Sequence, residues 1–113
     1  MKDGLFFFYN MQNAGIICDL QGNINLINKA TCNLSGYAES DLLEKNIEQL
    51  LPEIEKDYLK NLQKELLNVG EISADLQLLN FSGQLVPVSI NAFLSPMKEK
   101  QSVFLNLNLC TIP

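Results

Sequence analysis

Histidine and tryptophan are absent from the 113 residues, and all eight basic side chains are lysine, so arginine is absent too. Without histidine the commonest general base and the commonest metal ligand are missing. Ser-His and Cys-His triads, a His-ligated haem and a zinc site of Cys and His are thereby excluded. Without arginine there is no bidentate clamp for phosphate or carboxylate. The three cysteines, Cys18, Cys32 and Cys110, are odd in number and form no Cys-x-x-Cys pair, so neither a disulfide framework nor a zinc ribbon is indicated. They read as small apolar side chains of a reducing compartment. Long hydrophobic runs are missing as well. Leu5 to Tyr9 is far too short to span a bilayer and lacks the flanks of a signal peptide. The expectation is a cytoplasmic domain without direct membrane contact. Positive charge is scarce, with 8 Lys+Arg against 13 Asp+Glu and a net charge of −5. A phosphate backbone needs a basic face, so no nucleic-acid partner is expected.

Hydrophobic residues make up 47% and charged residues 19%, a globular composition long enough for one domain with its own core. Residues 3–12 read as a short helix with Asp3 as N-cap, its aromatics running right round it. Gly15–Asp19 and Asn23–Ile27 are β-type runs, and Asp19-Leu20-Gln21-Gly22 between them has type I turn chemistry, which makes a hairpin. Asn28 is suited to cap a helix over Lys29–Leu34, with Gly36 as its stop. A second short helix is expected at Glu39–Glu44. The longest follows Pro52, with Ile54, Tyr58, Leu62 and Leu66 every four residues, Leu59 beside them, and Gly70 at the end. Three alternating runs close the chain: Ile72/Ala74/Leu76/Leu78, Val86/Val88/Ile90/Ala92/Leu94 and Val103/Leu105/Leu107/Leu109. Helices grouped between runs of strands imply an α+β fold, an antiparallel sheet with helices on one face. Asn91 and Asn106 fall on the face opposite the apolar one.

Residues 14–52 carry Gly15, Asp19, Gly22, Ile24, Asn28, Ala30, Gly36, Tyr37, Leu42, Leu43 and Pro52 in an ordered series, and Val86-Pro87-Val88 follows a Gly turn. The series resembles the PAS family of sensory and interaction domains over residues 14–109. The resemblance implies a five-stranded antiparallel sheet with short helices and one longer helix on one face, preceded by an N-terminal helix. It divides the chain into an N-terminal cap or dimerisation segment, 1–13, and a PAS domain, 14–113. There are departures: Glu44 stands where the family has Gly, Ala38 where a Ser or Thr would cap, and Phe81 at a turn position that is commonly charged. The final strand lacks the family's Asp-Ile-Thr.

By the same resemblance the first short helix faces a pocket, which makes Thr31 and Ser35, four apart on one face, candidates for orienting a ligand. The alternative is that each hydroxyl bonds back to the backbone or to water. Ile16 and Ile27 are candidate lining residues. Asp19, Gly22, Asn28 and Gly36 read as structural. No catalytic residue or metal ligand is assigned. The cofactor is left unknown: Cys32 is followed by Asn-Leu-Ser, not the Arg-Phe-Leu of covalent-flavin photoreceptors, and Met11 or Met97 alone would make a poor haem site. A neutral or apolar small molecule is the expected ligand, if there is one. An all-apolar N-terminal helix must bury more than one face. A homodimer through Leu5, Phe6, Phe7, Phe8, Phe93 and Phe104 is therefore expected, with intramolecular capping of the sheet as the alternative. The function implied is that of a sensory and dimerisation domain of a prokaryotic-type signalling protein, such as a histidine kinase, cyclic-dinucleotide enzyme or transcription regulator. Its partner would be an effector domain in a longer parent. A ligand-free scaffold and a small α+β enzyme are the rivals. The second is disfavoured because Asp19, Glu71 and Asp75, the acids nearest strands, form no pair.

Overall fold

The computed structural model describes residues 2–95 and 101–110, with side chains from Phe6 onward. Met97 and the rest of 96–100 lie outside the described residues, and Leu5 enters only as backbone. The order is α1 (Lys2–Asn10), β1 (Ala14–Cys18), β2 (Ile24–Ile27), α2 (Lys29–Ser35), α3 (Glu39–Leu42), two single 3-10 turns (Ile47–Leu50 and Glu53–Glu55), α4 (Lys56–Val69), β3 (Glu71–Leu79), β4 (Leu85–Leu94) and β5 (Val103–Leu109). α1 already includes Lys2, so Asp3 falls inside the first turn and not at the N-cap position expected from the sequence.

The β1–β2 hairpin closes as its turn chemistry requires. Gly22 N–H donates to the Asp19 carbonyl at 3.0 Å. Gly22 has φ 92°, and a Cβ there would lie 2.9 Å from Asn46 Oδ1, so conformation and space both demand glycine. Asn46 belongs to a strap that ties down the hairpin: Ile24 N–H donates to Lys45 O and Ile47 N–H to Gly22 O. Asn46 also heads the first 3-10 turn through a capping box with Gln49. Asn28 caps α2 as expected, and Gly36 and Gly70 end α2 and α4 in the left-handed region.

The buried stripe of α4 differs from the four-residue series. Ile54 is 86% exposed and Tyr58 is exposed as well, while Leu59, Leu62 and Leu66 are buried. Tyr58, inside α4, falls at the edge of the buried stripe, and for Ile54 the cause is a break in helical phase. Pro52 precedes a separate 3-10 turn that contains Ile54, and α4 starts only at Lys56. From there the inward spacing is three then four, the ordinary one-face pattern.

The sheet runs β2-β1-β5-β4-β3 with every neighbour antiparallel. First and last strands are partners, so β5 welds the N-terminal hairpin to the β3–β4 hairpin. Register produces two kinds of row. Ile27, Ile16, Leu105, Ala92 and Ile72 form a buried inward row across all five strands. One residue along, Leu26, Ile17, Phe104, Phe93 and Glu71 form an outward row, as the period of two dictates. Helices α2, α3 and α4 cover the inward face, against β1, β2 and β3/β4 respectively. α1 lies on the other face.

Candidate functional site

Between the inward sheet face and α4 the side chains do not fill the space, and a cavity of about 60 Å³ remains. Its floor includes Ile16 and Cys18 from β1, Val88 and Ala92 from β4, and Leu105 from β5. Its roof is Leu50 and Leu51 with Leu59, Leu62 and Leu66 of α4. Asp19 and Gln63 are the polar residues among those lining it. Together with Leu20 and the exposed Leu67 they mark the side that meets solvent, between the β1–β2 turn and α4.

The electrostatics at this mouth are simple. Cys18, 1% exposed, has its thiol pushed up to about 12, first by desolvation and then by the neighbouring Asp19 charge. It is a protonated wall group, not a nucleophile. Burial works to raise the Asp19 carboxyl, but N–H groups of Asn23, Gln21 and Gly22 and the Asn23 amide outweigh it and hold the carboxyl below its ordinary value. A depressed carboxyl contributes stability above its unfolded value of 3.8, lost as the pH falls through the lower folded value. The parent is therefore expected to lose its urea-midpoint advantage over Asp19→Asn as the pH drops below 3.8. A gap that stays constant down to pH ~2 would remove the hydrogen-bond account of Asp19.

The candidates singled out in the sequence do not all gather here. Ile16 lines the cavity; Ile27, Thr31 and Ser35 stand outside it. Thr31 is buried in a polar knot. Its Oγ1 accepts Gly15 N–H at 2.9 Å and shares its proton between Gly15 O and Asn28 Oδ1, both at 2.8 Å. Asn28 Oδ1 also accepts from Thr31 N–H and Gly15 N–H, while Nδ2 donates to Asn13 O at 2.9 Å and Phe8 O at 3.2 Å. One asparagine thus fastens α1, β1 and α2 together. Ser35 Oγ accepts from Tyr37 N–H, and its carbonyl takes Phe81 N–H at 2.8 Å, which anchors the β3–β4 turn. Cys32 and Cys110 are half-buried, and no three metal-ligating side chains cluster among the described residues.

A family profile described as the PAS fold matches residues 3–103. The chain belongs to the PAS family. No curated protein matches the sequence at a significant level. Among solved structures, a PAS domain of a protein from Colwellia psychrerythraea superposes with a TM-score of 0.86 at 18% identity, covering 97% of this chain and 96% of that one. A PAS domain from a two-component sensor histidine kinase gives 0.82 at 16% identity, over 96% and 95% of the two chains. A domain of a sensory box sensor histidine kinase/response regulator from Geobacter sulfurreducens gives 0.79 at 15%, over 93% and 90%. At such identities the likeness establishes the fold.

Within this PAS domain the departures from the family pattern have local consequences. Ala38 begins α3 without a side-chain cap. Phe81 packs edge-on against Tyr37, with ring centroids 5.3 Å apart, and Lys45 sits 5.0 Å over the Tyr37 ring. This small stack ties the β3–β4 turn to the helical side. On the outer sheet face Phe8 is buried edge-to-face on Phe104 at 5.9 Å, and Phe104 stacks on Phe93 at 6.3 Å. Phe6 and Phe7 remain 62% and 70% exposed. Asn91 and Asn106 are cross-strand partners on the same outer face, where Asn91 Oδ1 accepts from Ser73 Oγ and Asn106 Oδ1 is buried without a partner among the described residues. Sequence reasoning missed Cys18, Leu50 and Gln63 as cavity residues. Gln63 had a signal: it flanks the Leu59/Leu62/Leu66 stripe on α4.

No helix among the described residues is long and apolar enough to cross a membrane.

Proposed function

We propose that this PAS domain is a cytoplasmic sensory and dimerisation module of a prokaryotic-type signalling protein, such as a histidine kinase, cyclic-dinucleotide enzyme or transcription regulator. The observation that carries this reading is the unfilled apolar cavity between sheet and α4, in a fold shared with domains named as parts of sensor histidine kinases. A well-packed interior has few voids larger than a water, so a space of about 60 Å³ is the natural seat of a ligand. Pockets for cofactor-sized molecules are larger, about 300 Å³ or more, so a flavin or haem would require the walls to part. Ile16 is the one sequence-derived pocket candidate at the cavity. Thr31 and Ser35 act through the backbone they hold.

Signal reaches an effector domain only if ligand binding favours one of two packings. The route supported here runs from β1 through Asn28 to α1, because β1 supplies cavity wall and Asn28 grips both. Residues 1–13 then serve as cap and dimerisation segment in one: Phe8 closes the sheet of its own chain, and Phe6 and Phe7 remain for a partner copy, beside Phe93 and Phe104. Light scattering of the Phe6→Ser/Phe7→Ser double variant tests this. The parent is expected at twice the monomer mass and the variant at the monomer mass. A monomeric parent, or a variant of unchanged mass, sinks the dimer. Native mass spectrometry of the purified parent tests the sensor reading, for which a co-purifying small molecule is the expected result.

A further inference from the structure

On the outer face of the sheet, Asn106 interrupts the apolar seat on which α1 rests. It lies opposite Gly15 on β1 and Asn91 on β4, and it is the next outward residue after Phe104 along β5. Two of these neighbours bear the helix. A Cβ on Gly15 would lie 3.0 Å from Phe8 Cε1 and 3.5 Å from Met11 Cε, and Phe8 packs on Phe104 with ring centroids 5.9 Å apart. Asn106 therefore stands between the points at which α1 touches the sheet. Its Oδ1 is buried there and has no hydrogen-bond partner among the described residues. Asn91, across the ladder, turns its own oxygen to Ser73 Oγ at 2.6 Å and gives Asn106 no bond.

A buried acceptor without a donor carries the full desolvation cost of its carbonyl, which an apolar group of the same shape avoids. That cost falls on the docked position of α1, because lifting the helix returns the oxygen to water. The opposing terms are few: the Phe8 ring on Phe104, and the bond from Asn28 Nδ2 to Phe8 O at 3.2 Å. Nine residues do not persist as a helix by themselves. We propose that Asn106 makes α1 a two-position strap, held down by Phe8 and Asn28 and biased towards release by the orphaned Asn106 oxygen. Release uncovers Phe104 and the Phe93 ring stacked on it. Neither a ligand in the cavity nor a partner copy is needed for this balance, so it stands or falls separately from the function proposed above.

Amide hydrogen exchange of the parent and two variants tests it. Both substitutions point outward from the sheet and leave the inward core intact. Asn106→Leu keeps the shape and removes the oxygen, and protection of the α1 amides is expected to rise about tenfold. Asn106→Ala removes contact as well as the oxygen, so packing alone would lower protection in α1. A rise of about threefold is expected there instead. The β3–β4 ladder should keep the parent's protection in both variants. A rise of equal size in that ladder would mean general stabilisation of the sheet. Unchanged protection of α1 in Asn106→Leu would mean that the oxygen is served when the helix is docked. Failure of α1 protection to rise in Asn106→Ala would assign any gain in Asn106→Leu to packing. Each of these three results overturns the proposal.

Discussion

Asn28→Asp is expected to lose roughly 3 kcal/mol of stability at pH 7, although it changes one side-chain group at constant shape. The parent side chain is 1% exposed and uses both ends of its amide. Aspartate keeps the oxygen that accepts from Thr31 and Gly15, so the cap of α2 survives. It replaces the Nδ2 donor with a second oxygen, set against the carbonyls of Phe8 and Asn13. The part-buried Asn13 carbonyl loses this donor, the buried Phe8 carbonyl keeps only the Met11 N–H at 3.4 Å, and both face a like partial charge. The penalty should relax in acid. The introduced carboxyl has its folded pKa raised by burial and by the two carbonyls, so the native state binds the proton more tightly than the unfolded chain. The cost is therefore complete above the folded value, shrinks as the pH falls through it, and is smallest below the unfolded value of about 3.9. Urea unfolding of parent and variant at pH 7 and pH 5 measures this. A variant as stable as the parent at pH 7 would show that the donations to Phe8 and Asn13 contribute nothing.

Phe8→Ala is expected to cost about 3 kcal/mol, expressed as the undocking of α1 and not as a void beneath it. Phe8 is the buried side chain of α1 among its described ones, 5% exposed against Phe104. Its ring approaches β1 so closely that a Cβ on Gly15 would lie 3.0 Å from Phe8 Cε1. Glycine at this point in β1 thus makes the docking seat. Nine residues are too few for an isolated helix to persist in water, so a helix that loses its anchor melts. Amide exchange should lose its protection in α1 and at the Asn28 knot while the β3–β4 ladder keeps its own. Unchanged protection in α1 would mean that something other than Phe8 holds the helix. Because Phe8 and Asn28 grip the same helix, their double substitution should cost less than the sum.

How far the fold was legible follows from what each signal depends on. Asp19-Leu20-Gln21-Gly22, the Asn28 cap and the Gly36 and Gly70 stops are local, settled within a few residues by hydrogen bonding and backbone sterics, and they stand where the sequence placed them. The alternation in β3, β4 and β5 likewise assigned inward and outward faces, since a strand repeats every two residues regardless of its partners. The misreading at α4 came from a boundary. Four-residue spacing from Ile54 assumes one continuous helix, whereas a 3-10 turn before Lys56 changes the phase and leaves Ile54 in solvent. Thr31 shows the other kind of gap. A hydroxyl on a pocket-side helix and one that bonds β1 look identical in sequence, because the difference lies in a strand 16 residues away.

Sequence alone determined the PAS order of elements, the two-faced sheet, the structural roles of Asp19, Gly22 and Asn28, and the absence of His- and Arg-dependent chemistry. These follow from residue identity and short-range geometry. Only tertiary structure decided that the cavity lies under α4, that Asn28 reaches forward to α2 and back to α1, and that Phe8 is spent on its own sheet while Phe6 and Phe7 are not. Each depends on the pairing of β1 with β5 and on how side chains from distant segments fill, or fail to fill, the shared space between layers. Packing at that level is a property of three-dimensional neighbours, and no local pattern in a chain encodes it.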